Sequence, residues 1–294
     1  MKVTCRIVGG IGNQLFIYAA ARRLALINNV DLCVDCASGF ERDRTYNRRC
    51  QLNKFMIPDN IQFSSSNFSF VKRVRRYLSR RINSLLPFNY RTHICQVGND
   101  YDSRLLEVGF RRNILLEGYW QSERYFKDIE SVLREDLRFV PPDDIANGVM
   151  KQQISNCVSV AVHVRFFNRH NEIGGSNVAS DYYERAIAYI DAMEPEAHYF
   201  VFSDQPAAAL ERFAFPQERV TVVAHNQGDE NAYADLWLMS LCQHFIIANS
   251  TFSWWGAWLS LSQGKIIIAP DVRITHGKMS WGFEGLLPDE WIKL

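Results

Sequence analysis

The sequence lacks the features that mark several protein classes. No window approaches roughly 18 consecutive apolar residues, so no transmembrane helix is predicted, and the opening MKVTCRIVGGIGNQ lacks the regions of a secretory signal peptide. A charge excess is also absent, since 33 Lys and Arg face 32 Asp and Glu for a formal net charge of +1. We therefore expect a protein that does not bind nucleic acid. We also expect it to be cytoplasmic, at most peripheral on the inner membrane face.

Disordered and low-complexity compositions are absent as well. The 294 residues are 47% hydrophobic and 22% charged, near globular averages, and at about 150 residues per domain they leave room for two domains. Seven cysteines are an odd number, and several lie in apolar strand-like runs such as VTCRIV around Cys5. We expect reduced, buried thiols. Cys33 and Cys36 have CxxC spacing, but a single pair is more often structural than a metal site.

Short runs rich in Val and Ile alternate with stretches of helical spacing, which predicts parallel sheets with crossover helices. Pro141 and Pro142 break the chain, and we place a domain boundary there, giving domains 1–142 and 143–294. The first domain offers strands near 3–8, 30–34 and 113–117, helices over 14–28 and 122–137, and an irregular polar stretch at 36–70.

The alternation is more regular in the second domain, where it predicts one Rossmann-like unit of five strands with four intervening helices. The strands are predicted at 158–164, 199–203, 220–223, 245–248 and 265–269. The helices are predicted at 182–193, 207–213, 230–242 and 251–262.

One basic run, Lys72–Arg81, stands out in the first domain. Apolar residues recur within and after it at helical spacing, at Val74, Leu78, Ile82 and Leu85. The run predicts a basic amphipathic helix. It is either an ordinary solvated helix face or a peripheral contact with an anionic membrane surface.

A glycine-rich turn containing Gly10 and Gly12 follows the first strand and precedes a helix. Its backbone N–H groups can approach an anion or a substrate. The dinucleotide fingerprint needs a further glycine where Leu15 stands, and no P-loop lysine follows, so nicotinamide enzymes and P-loop NTPases are disfavoured. The amides of Asn13 and Gln14 suit a neutral polyol such as a sugar, although Asn13 could instead cap the helix.

The most distinctive stretch is a helix that begins with hydroxyl residues. An apolar strand ends before Asn249, and the helix begins around Ser250 and Thr251, with Phe252 and Ser253 in its first turn. Free N–H groups and the positive end of the helix dipole, joined by hydroxyls, suit a diphosphate bound without a metal. A plain N-cap needs only one hydroxyl, so the cluster favours a site.

Polar residues also end two other predicted strands of the second domain. His163 and Arg165 lie two residues apart and therefore on one face of their strand. A guanidinium there can bind a diphosphate and neutralise charge on a departing nucleotide, whereas a lone histidine at a strand end is more often structural. Ser203 and Asp204 end the next strand, where the carboxylate suits a guanine edge or caps the following helix.

Five segments together resemble the α-1,2-fucosyltransferases of glycosyltransferase family 11. They extend over most of the chain in the family's order: GGIGNQLFIYAAARRLA (9–25), LLEGYWQSERYF (115–126), VAVHVR (160–165), YFVFSD (199–204) and DLWLMSLCQHFIIANSTFSWWGAWL (235–259).

The resemblance implies an α/β protein of GT-B type, with two facing Rossmann-like domains and a cleft between them. It implies transfer of fucose, with inversion, from GDP-β-L-fucose to the 2-hydroxyl of a terminal β-galactoside, free or lipid-linked, with no metal or other cofactor. The C-terminal domain would bind the nucleotide sugar and the N-terminal domain the acceptor. We assign donor binding to Gly10, Gly12, His163, Arg165, Ser203, Asp204, Asn249, Ser250, Thr251, Phe252 and Ser253.

Arg165 is expected to help GDP leave, and Asn13 to lie near the fucose or the acceptor. Acceptor contacts are assigned to Tyr119, Trp120 and Gln121. Inversion needs a base opposite the leaving group, for which Glu117 is the candidate, unless a dissociative mechanism needs none.

The chain departs from the family's usual His-x-Arg-Arg-x-Asp pattern. Phe166 replaces the second arginine and Asn168 the acid, and Arg169 or His170 could compensate if the loop bends back. The stretch 171–178 that follows could form a mobile lid. This departure raises the alternative of a non-catalytic binding relative.

A second alternative is a metal-dependent GT-A glycosyltransferase. Asp100 and Asp102 have the Asp-x-Asp spacing that would hold a divalent cation on a nucleotide diphosphate. The preceding HICQVGN is a poor strand, so Asp102 as a helix N-cap is the simpler interpretation.

Overall fold

The computed structural model describes the chain except residues 42, 45–46, 65–69, 110–111, 168–176, 213–214 and 275–279, and except the side chains of 70, 72, 212 and 217. The chain forms two compact units. Unit 1 comprises Met1–Val140 with Glu284–Leu286, and unit 2 comprises Pro141–Phe283 with Leu287–Leu294.

Unit 1 is built on a parallel five-stranded sheet of order β3-β2-β1-β5-β4. The strands are β1 (Lys2–Arg6), β2 (Asp31–Asp35), β3 (Gln62–Ser64), β4 (His93–Cys95) and β5 (Ile114–Glu117). The α-helices are α1 (Ile11–Ile27), α2 (Phe70–Ser84) and α3 (Glu130–Asp136). Short 3-10 turns are formed by Leu52–Lys54, Phe88–Tyr90, Ser103–Glu107, Glu123–Tyr125 and Lys127–Ile129.

The core of unit 1 is centred on α1, whose first four turns are apolar on nearly every side and buried. Such a helix gains its stability from burial rather than from an amphipathic stripe. Gln14, which is fully buried, fixes its start. The Gln14 side-chain Nε2 donates to the carbonyls of Gly9 (3.0 Å) and Arg49 (2.8 Å), and its Oε1 accepts from the Gln51 backbone N–H (2.8 Å).

Unit 2 carries a parallel six-stranded sheet of order β11-β10-β9-β6-β7-β8. The strands are β6 (Ser159–Val164), β7 (His198–Ser203), β8 (Val220–Val223), β9 (His244–Ile246), β10 (Ile267–Ala269) and β11 (Ile292–Lys293). The α-helices are α4 (Ile145–Ser155), α5 (Ser180–Met193), α6 (Pro206–Arg212), α7 (Ala232–Leu241) and α8 (Thr251–Leu259), and Gln217–Arg219 and Asp229–Asn231 form 3-10 turns.

The centre of unit 2 is apolar on both faces of its sheet. Every residue of β6 is buried, as expected for a central strand of a parallel sheet covered by helices. Trp254, Trp255 and Trp258 of α8 pack on one another with ring centroids 5.1–6.2 Å apart. These tryptophans fix α8 against the core.

The predicted elements are largely found, with four informative differences. α1 begins at Ile11 rather than near residue 14, because Gly10 is its N-cap, so Asn13 is not a cap. The stretch 93–95, judged a poor strand, is β4, which pairs with β5. The helix predicted over 122–137 is two 3-10 turns followed by the short α3, and α4 was not predicted.

The expectation of reduced cysteines is wrong for one pair. Cys36 and Cys50 form a disulfide, so Cys36 does not pair with Cys33 in the CxxC arrangement. The other five cysteines are free thiols, of which Cys5, Cys33 and Cys242 are buried.

Among the helices in the part of the chain that the structure describes, none combines the length and apolar character needed to cross a bilayer.

Candidate active site

Three neighbouring strands of unit 2 end in the polar residues that the sequence singled out. β9, β6 and β7 are adjacent, with Val162 beside Ile246 and Val164 beside Ser203 in register. Because all three strands run parallel, Arg165, Asp204 and the start of α8 lie at one edge of the sheet. Open α/β sheets bind ligands at this carboxyl edge.

Arg165 and Asp204 are brought together at that edge. A terminal nitrogen of the Arg165 guanidinium lies 3.3 Å from Asp204 Oδ2, and both side chains are about one-third exposed. The other carboxylate oxygen, Asp204 Oδ1, accepts from the Phe166 backbone N–H at 3.0 Å. Asp204 therefore orients the cation and its loop while the guanidinium stays reachable from solvent.

The start of α8 is a helix N-terminus at the same edge. Ser250 is the N-cap, and its hydroxyl accepts from the Phe252 N–H at 3.3 Å. Ser250, Thr251 and Phe252 are all partly exposed. No acidic residue stands in the first turn, so the positive dipole end is not neutralised locally.

Two residues assigned to donor contact lie beneath this surface instead. His163 is 4% exposed and Ser253 fully buried, and His163 Nδ1 lies 2.9 Å from Ser253 Oγ. Burial, and to a lesser degree the charge of Arg165, lowers the pKa of His163 to about 3, so the imidazole is neutral. Asn249 is also buried. The side chains of all three residues are therefore covered from solvent in this structure.

Ser203, partly exposed at the end of β7, forms a hydrogen bond with the backbone two residues later. Its hydroxyl accepts from the Gln205 backbone N–H at 3.0 Å at the start of α6. Asn168, Arg169 and His170, and 171–176 of the proposed lid, lie outside the described residues.

In unit 1 the glycine turn brings together two of the predicted site residues. Asn13, in the first turn of α1, accepts at Oδ1 from the Gln121 side-chain amide at 2.7 Å. Gly9 has φ +81°, and a Cβ there would lie 2.7 Å from Asn13 Nδ2, so the turn requires glycine for Asn13 to fold back. Asn13 and Gln121 thus form a polar pair at the end of β1.

The acceptor residues after β5 divide into exposed and buried ones. Tyr119 is 38% exposed, whereas Trp120 is 1% exposed and packs edge-on against Tyr125. The backbone N–H groups of Tyr119 and Trp120 both donate to Gln96 Oε1, at 2.8 and 2.9 Å. Tyr119 is therefore reachable from solvent, whereas the Trp120 indole packs in the core of unit 1.

Glu117 lies in a basic cluster that argues against its role as the base. Its carboxylate contacts the Arg76 guanidinium, lies 3.3 Å from His93 Nε2 and is 4.0 Å from the Arg80 guanidinium. Burial opposes ionisation, but hydrogen bonds from His93 and Arg76 outweigh it and lower the pKa of Glu117 to about 2. A carboxylate held so firmly in its ionised form is a weak proton acceptor.

In the described part of the chain, His93, Cys95 and Glu117 are a group whose potential metal-ligand atoms lie within 4.8 Å of one another. A cation there would compete with Arg76 for the same carboxylate. The Asp-x-Asp pair of the GT-A alternative is also engaged: Asp102 caps a 3-10 turn and pairs with Arg104 at 2.7 Å, and Asp100 accepts from the Glu284 N–H at 3.0 Å.

A polar cluster around the buried Asn147 of unit 2 escaped sequence analysis. Asn226 donates to Asp235 Oδ1 and to Asn147 Oδ1, both at 2.9 Å, and His225 lies 3.1 Å from Asn147 Oδ1. Burial, only partly offset by the hydrogen bond from Asn226, raises the pKa of Asp235 to about 7. No spacing signal links Asn147 to Asn226, 79 residues later.

This pKa predicts a pH dependence of stability. The folded protein keeps the Asp235 proton up to about pH 7, whereas the unfolded chain releases it near 3.8. The free energy of unfolding should therefore fall as pH rises between those values, by at most about 1.4 kcal/mol per pH unit from this group. Asp235→Asn should show a flatter profile in urea titrations at pH 5, 6, 7 and 8. Parallel profiles for the two proteins would contradict the assignment.

The comparisons with known proteins agree with this geometry. The profile of Glycosyl transferase family 11 matches residues 88–292. The O-antigen biosynthesis glycosyltransferase WbnK of Escherichia coli is 30% identical, over 97% of this chain and 98% of the relative. An α-1,2-colitosyltransferase of Escherichia coli is 26% identical, over 99% and 98% of the two chains.

The crystal structure of the α-1,6-fucosyltransferase NodZ soaked with GDP-fucose, a protein of Bradyrhizobium, superposes with a TM-score of 0.52 at 16% identity, covering 88% of this chain and 92% of that one. At that identity the likeness concerns the fold, and it confirms the predicted GT-B architecture of two Rossmann-like domains. The family profile matches most of the chain, and WbnK is 30% identical over nearly the whole length of both chains. This protein therefore belongs to glycosyltransferase family 11.

Proposed function

We propose that this glycosyltransferase moves L-fucose from GDP-β-L-fucose to the 2-hydroxyl of a terminal β-galactoside, with inversion to an α-1,2 linkage and without a metal. The observation that carries the proposal is the carboxyl edge of the unit 2 sheet. There a reachable guanidinium and an uncompensated helix N-terminus follow neighbouring strands. A guanidinium that Asp204 contacts from one side and a helix N-terminus with no acidic residue in its first turn are two sources of positive potential, which suit a diphosphate.

Arg165 has the central role in this proposal. When the bond between the fucose C1 and the β-phosphate oxygen breaks, its electron pair leaves with GDP, and negative charge develops on the phosphate. A preformed guanidinium stabilises that charge without reorganising at the moment of reaction. Asp204, which orients Arg165 from one side, leaves the rest of the guanidinium for the phosphate.

The helix α8 supplies the second contact to the diphosphate. The partly exposed hydroxyls of Ser250 and Thr251, at the positive end of the helix dipole, would contact phosphate oxygens. Below them, His163 and Ser253 hold the strand end and the helix start in register.

The acceptor is assigned to unit 1, at Asn13, Gln121 and Tyr119. Amide groups that both donate and accept suit the neighbouring hydroxyls of a neutral sugar, and a half-exposed tyrosine ring offers an apolar face. Because Glu117 is held as an ion pair, the proposed displacement relies on leaving-group stabilisation, and the acceptor hydroxyl loses its proton late, to solvent.

The function is tested with purified protein, lactose as acceptor, and either GDP-fucose or GDP-mannose as donor. We expect a fucosylated trisaccharide with GDP-fucose alone, unchanged in EDTA, and a 2-linkage with α configuration by NMR. Transfer from another nucleotide sugar with none from GDP-fucose would overturn the donor assignment. Turnover abolished by EDTA and restored by a divalent cation would contradict the metal-free mechanism.

A non-catalytic binding relative is a second candidate, favoured by Phe166 standing where the family usually has a second arginine. Phe166 contributes its backbone N–H to Asp204, a contact that any residue could make. Calorimetry separates the candidates, because a binding protein would take up GDP-fucose tightly while the assay above shows no product from any β-galactoside.

A further inference from the structure

The basic helix α2 packs on unit 1 with its polar face. Arg76 contacts Glu117 at the end of β5, and Ser79 Oγ lies 3.2 Å from His93 Nδ1. Asn83, which is 5% exposed, accepts from the backbone N–H groups of Thr92 (2.7 Å) and His93 (3.0 Å). The side chains that anchor this helix are therefore charged and polar.

The adjoining face of α2 is apolar and exposed. Val71, Val74, Leu78 and Ile82 are 73%, 41%, 52% and 60% exposed, and the spacing of three and four residues places them on one face. All four side chains also line an open groove of about 540 Å³. Leu85, directly after the helix, is 86% exposed. Amphipathic helices of globular proteins normally bury the apolar face, so this orientation is inverted.

The charged residues in the sequence around this apolar face are all basic. The stretch 61–99 contains seven of the 33 Lys and Arg residues and none of the 32 Asp and Glu residues. The rest of the chain therefore carries more acidic than basic residues, and the near-zero net charge conceals a local cationic surface. Tyr77, 57% exposed and stacked under Arg81 at 5.4 Å, adds an aromatic group with a polar tip.

We propose that α2 lies on the surface of a membrane containing anionic phospholipids. Val71, Val74, Leu78 and Ile82 would enter the boundary between headgroups and acyl chains. Arg73, Arg75 and Arg81 would remain at the level of the phosphates. Interfacial helices combine these features, and each basic residue near an anionic surface adds to the attraction.

The charge of the stretch selects a lipid surface over a second copy of this chain. Pairing two copies through α2 would bring the exposed Arg75 and Arg81 of each copy together, with no acidic residue from either stretch to compensate. An anionic bilayer offers the opposite charge next to an apolar layer. The proposal is independent of the donor and acceptor assignments, because it concerns a face that contains none of those residues.

The test is co-sedimentation of the full chain with vesicles of phosphatidylcholine alone and vesicles of equal parts phosphatidylcholine and phosphatidylglycerol. We expect binding to the anionic vesicles and little to the neutral ones. Binding should weaken with salt, because the Debye length falls from about 10 Å at 0.1 M to about 3 Å at 1 M. No donor or acceptor is present, so the outcome does not depend on the proposed activity.

The variant Leu78→Glu/Ile82→Glu should bind anionic vesicles at least about tenfold more weakly, because it removes apolar area and adds repulsion. Ile145→Glu/Leu261→Glu is the matched control, since both residues are exposed (85% and 74%) and lie in unit 2. It makes the same charge change and should bind nearly as the parent does. Circular dichroism checks that both variants fold.

Three results would overturn the proposal. The first is equal binding to both vesicle types, and the second is no binding to either. The third is concentration-dependent self-association, measured by sedimentation velocity, that Leu78→Glu/Ile82→Glu abolishes. That last result would assign the face to a second copy of the chain.

Discussion

Arg165→Ala should lower turnover by at least about 100-fold, equivalent to about 2.7 kcal/mol of transition-state stabilisation. The loss follows from removing a reachable guanidinium at the carboxyl edge of the unit 2 sheet, where Asp204 holds it in place. Phe166 makes the effect larger, because the second arginine usual in the family is missing from this segment. The measurement is kcat and KM for GDP-fucose with lactose in excess.

Two further variants test whether the loss is specific to the guanidinium of Arg165. Arg165→Lys keeps the charge but loses the planar fork, so it should recover part of kcat. Arg185→Ala removes an exposed guanidinium of α5 that pairs with Asp181 at 3.7 Å, and it should be nearly unchanged. If Arg165→Ala turned over at a near-normal rate, Arg165 would have no part in the mechanism.

Asp136→Ala should lower the free energy of unfolding by about 3–5 kcal/mol, the usual effect of breaking a buried ion pair. Asp136 is 3% exposed, and its Oδ2 accepts from the Tyr18 hydroxyl at 2.7 Å and from Arg22 Nε at 2.8 Å. Alanine would leave a nearly buried guanidinium and a buried hydroxyl without their acceptor. The measurement is urea unfolding followed by tryptophan fluorescence.

Glu135→Ala is the control for this stability prediction. Glu135 lies 3.2 Å from Arg138 Nε, both side chains are well exposed (71% and 61%), and both residues belong to the same unit. Its removal should cost at most about 1 kcal/mol, because solvent replaces an exposed pair. Similar losses in the two variants would mean that burial does not decide the strength of these pairs.

The sequence predicted most of the elements with strong local signals. Strand β6 is a buried, mostly apolar run that was predicted one residue too early, and α8 begins after β9 at Thr251 as predicted, although it ends at Leu259 rather than at residue 262. Strand β4 was misjudged because its three residues, His93–Cys95, form a strand only through pairing with β5. Helix α4 escaped because Ile145 and Val149 are exposed and its apolar pattern is weak.

Roles of single residues were harder to predict than elements. Periodicity placed His163 on the same face as Arg165, but it could not tell that Ser253 covers the imidazole from the next layer. Similarly, Glu117 resembled a free carboxylate in the sequence, and only the fold brings Arg76 and His93 to it. Contacts between residues tens of positions apart decide accessibility and pKa, and neither leaves a trace in local spacing.

The His163–Ser253 hydrogen bond has a consequence for the thermodynamics of ligand binding. It links the end of β6 to the first turn of α8, so Arg165 and the start of α8 keep fixed relative positions before any ligand arrives. A diphosphate that bridges them would freeze few protein torsions, and little conformational entropy would be lost on association. Affinity at this edge would then be limited by how well the anion is desolvated rather than by ordering of the protein.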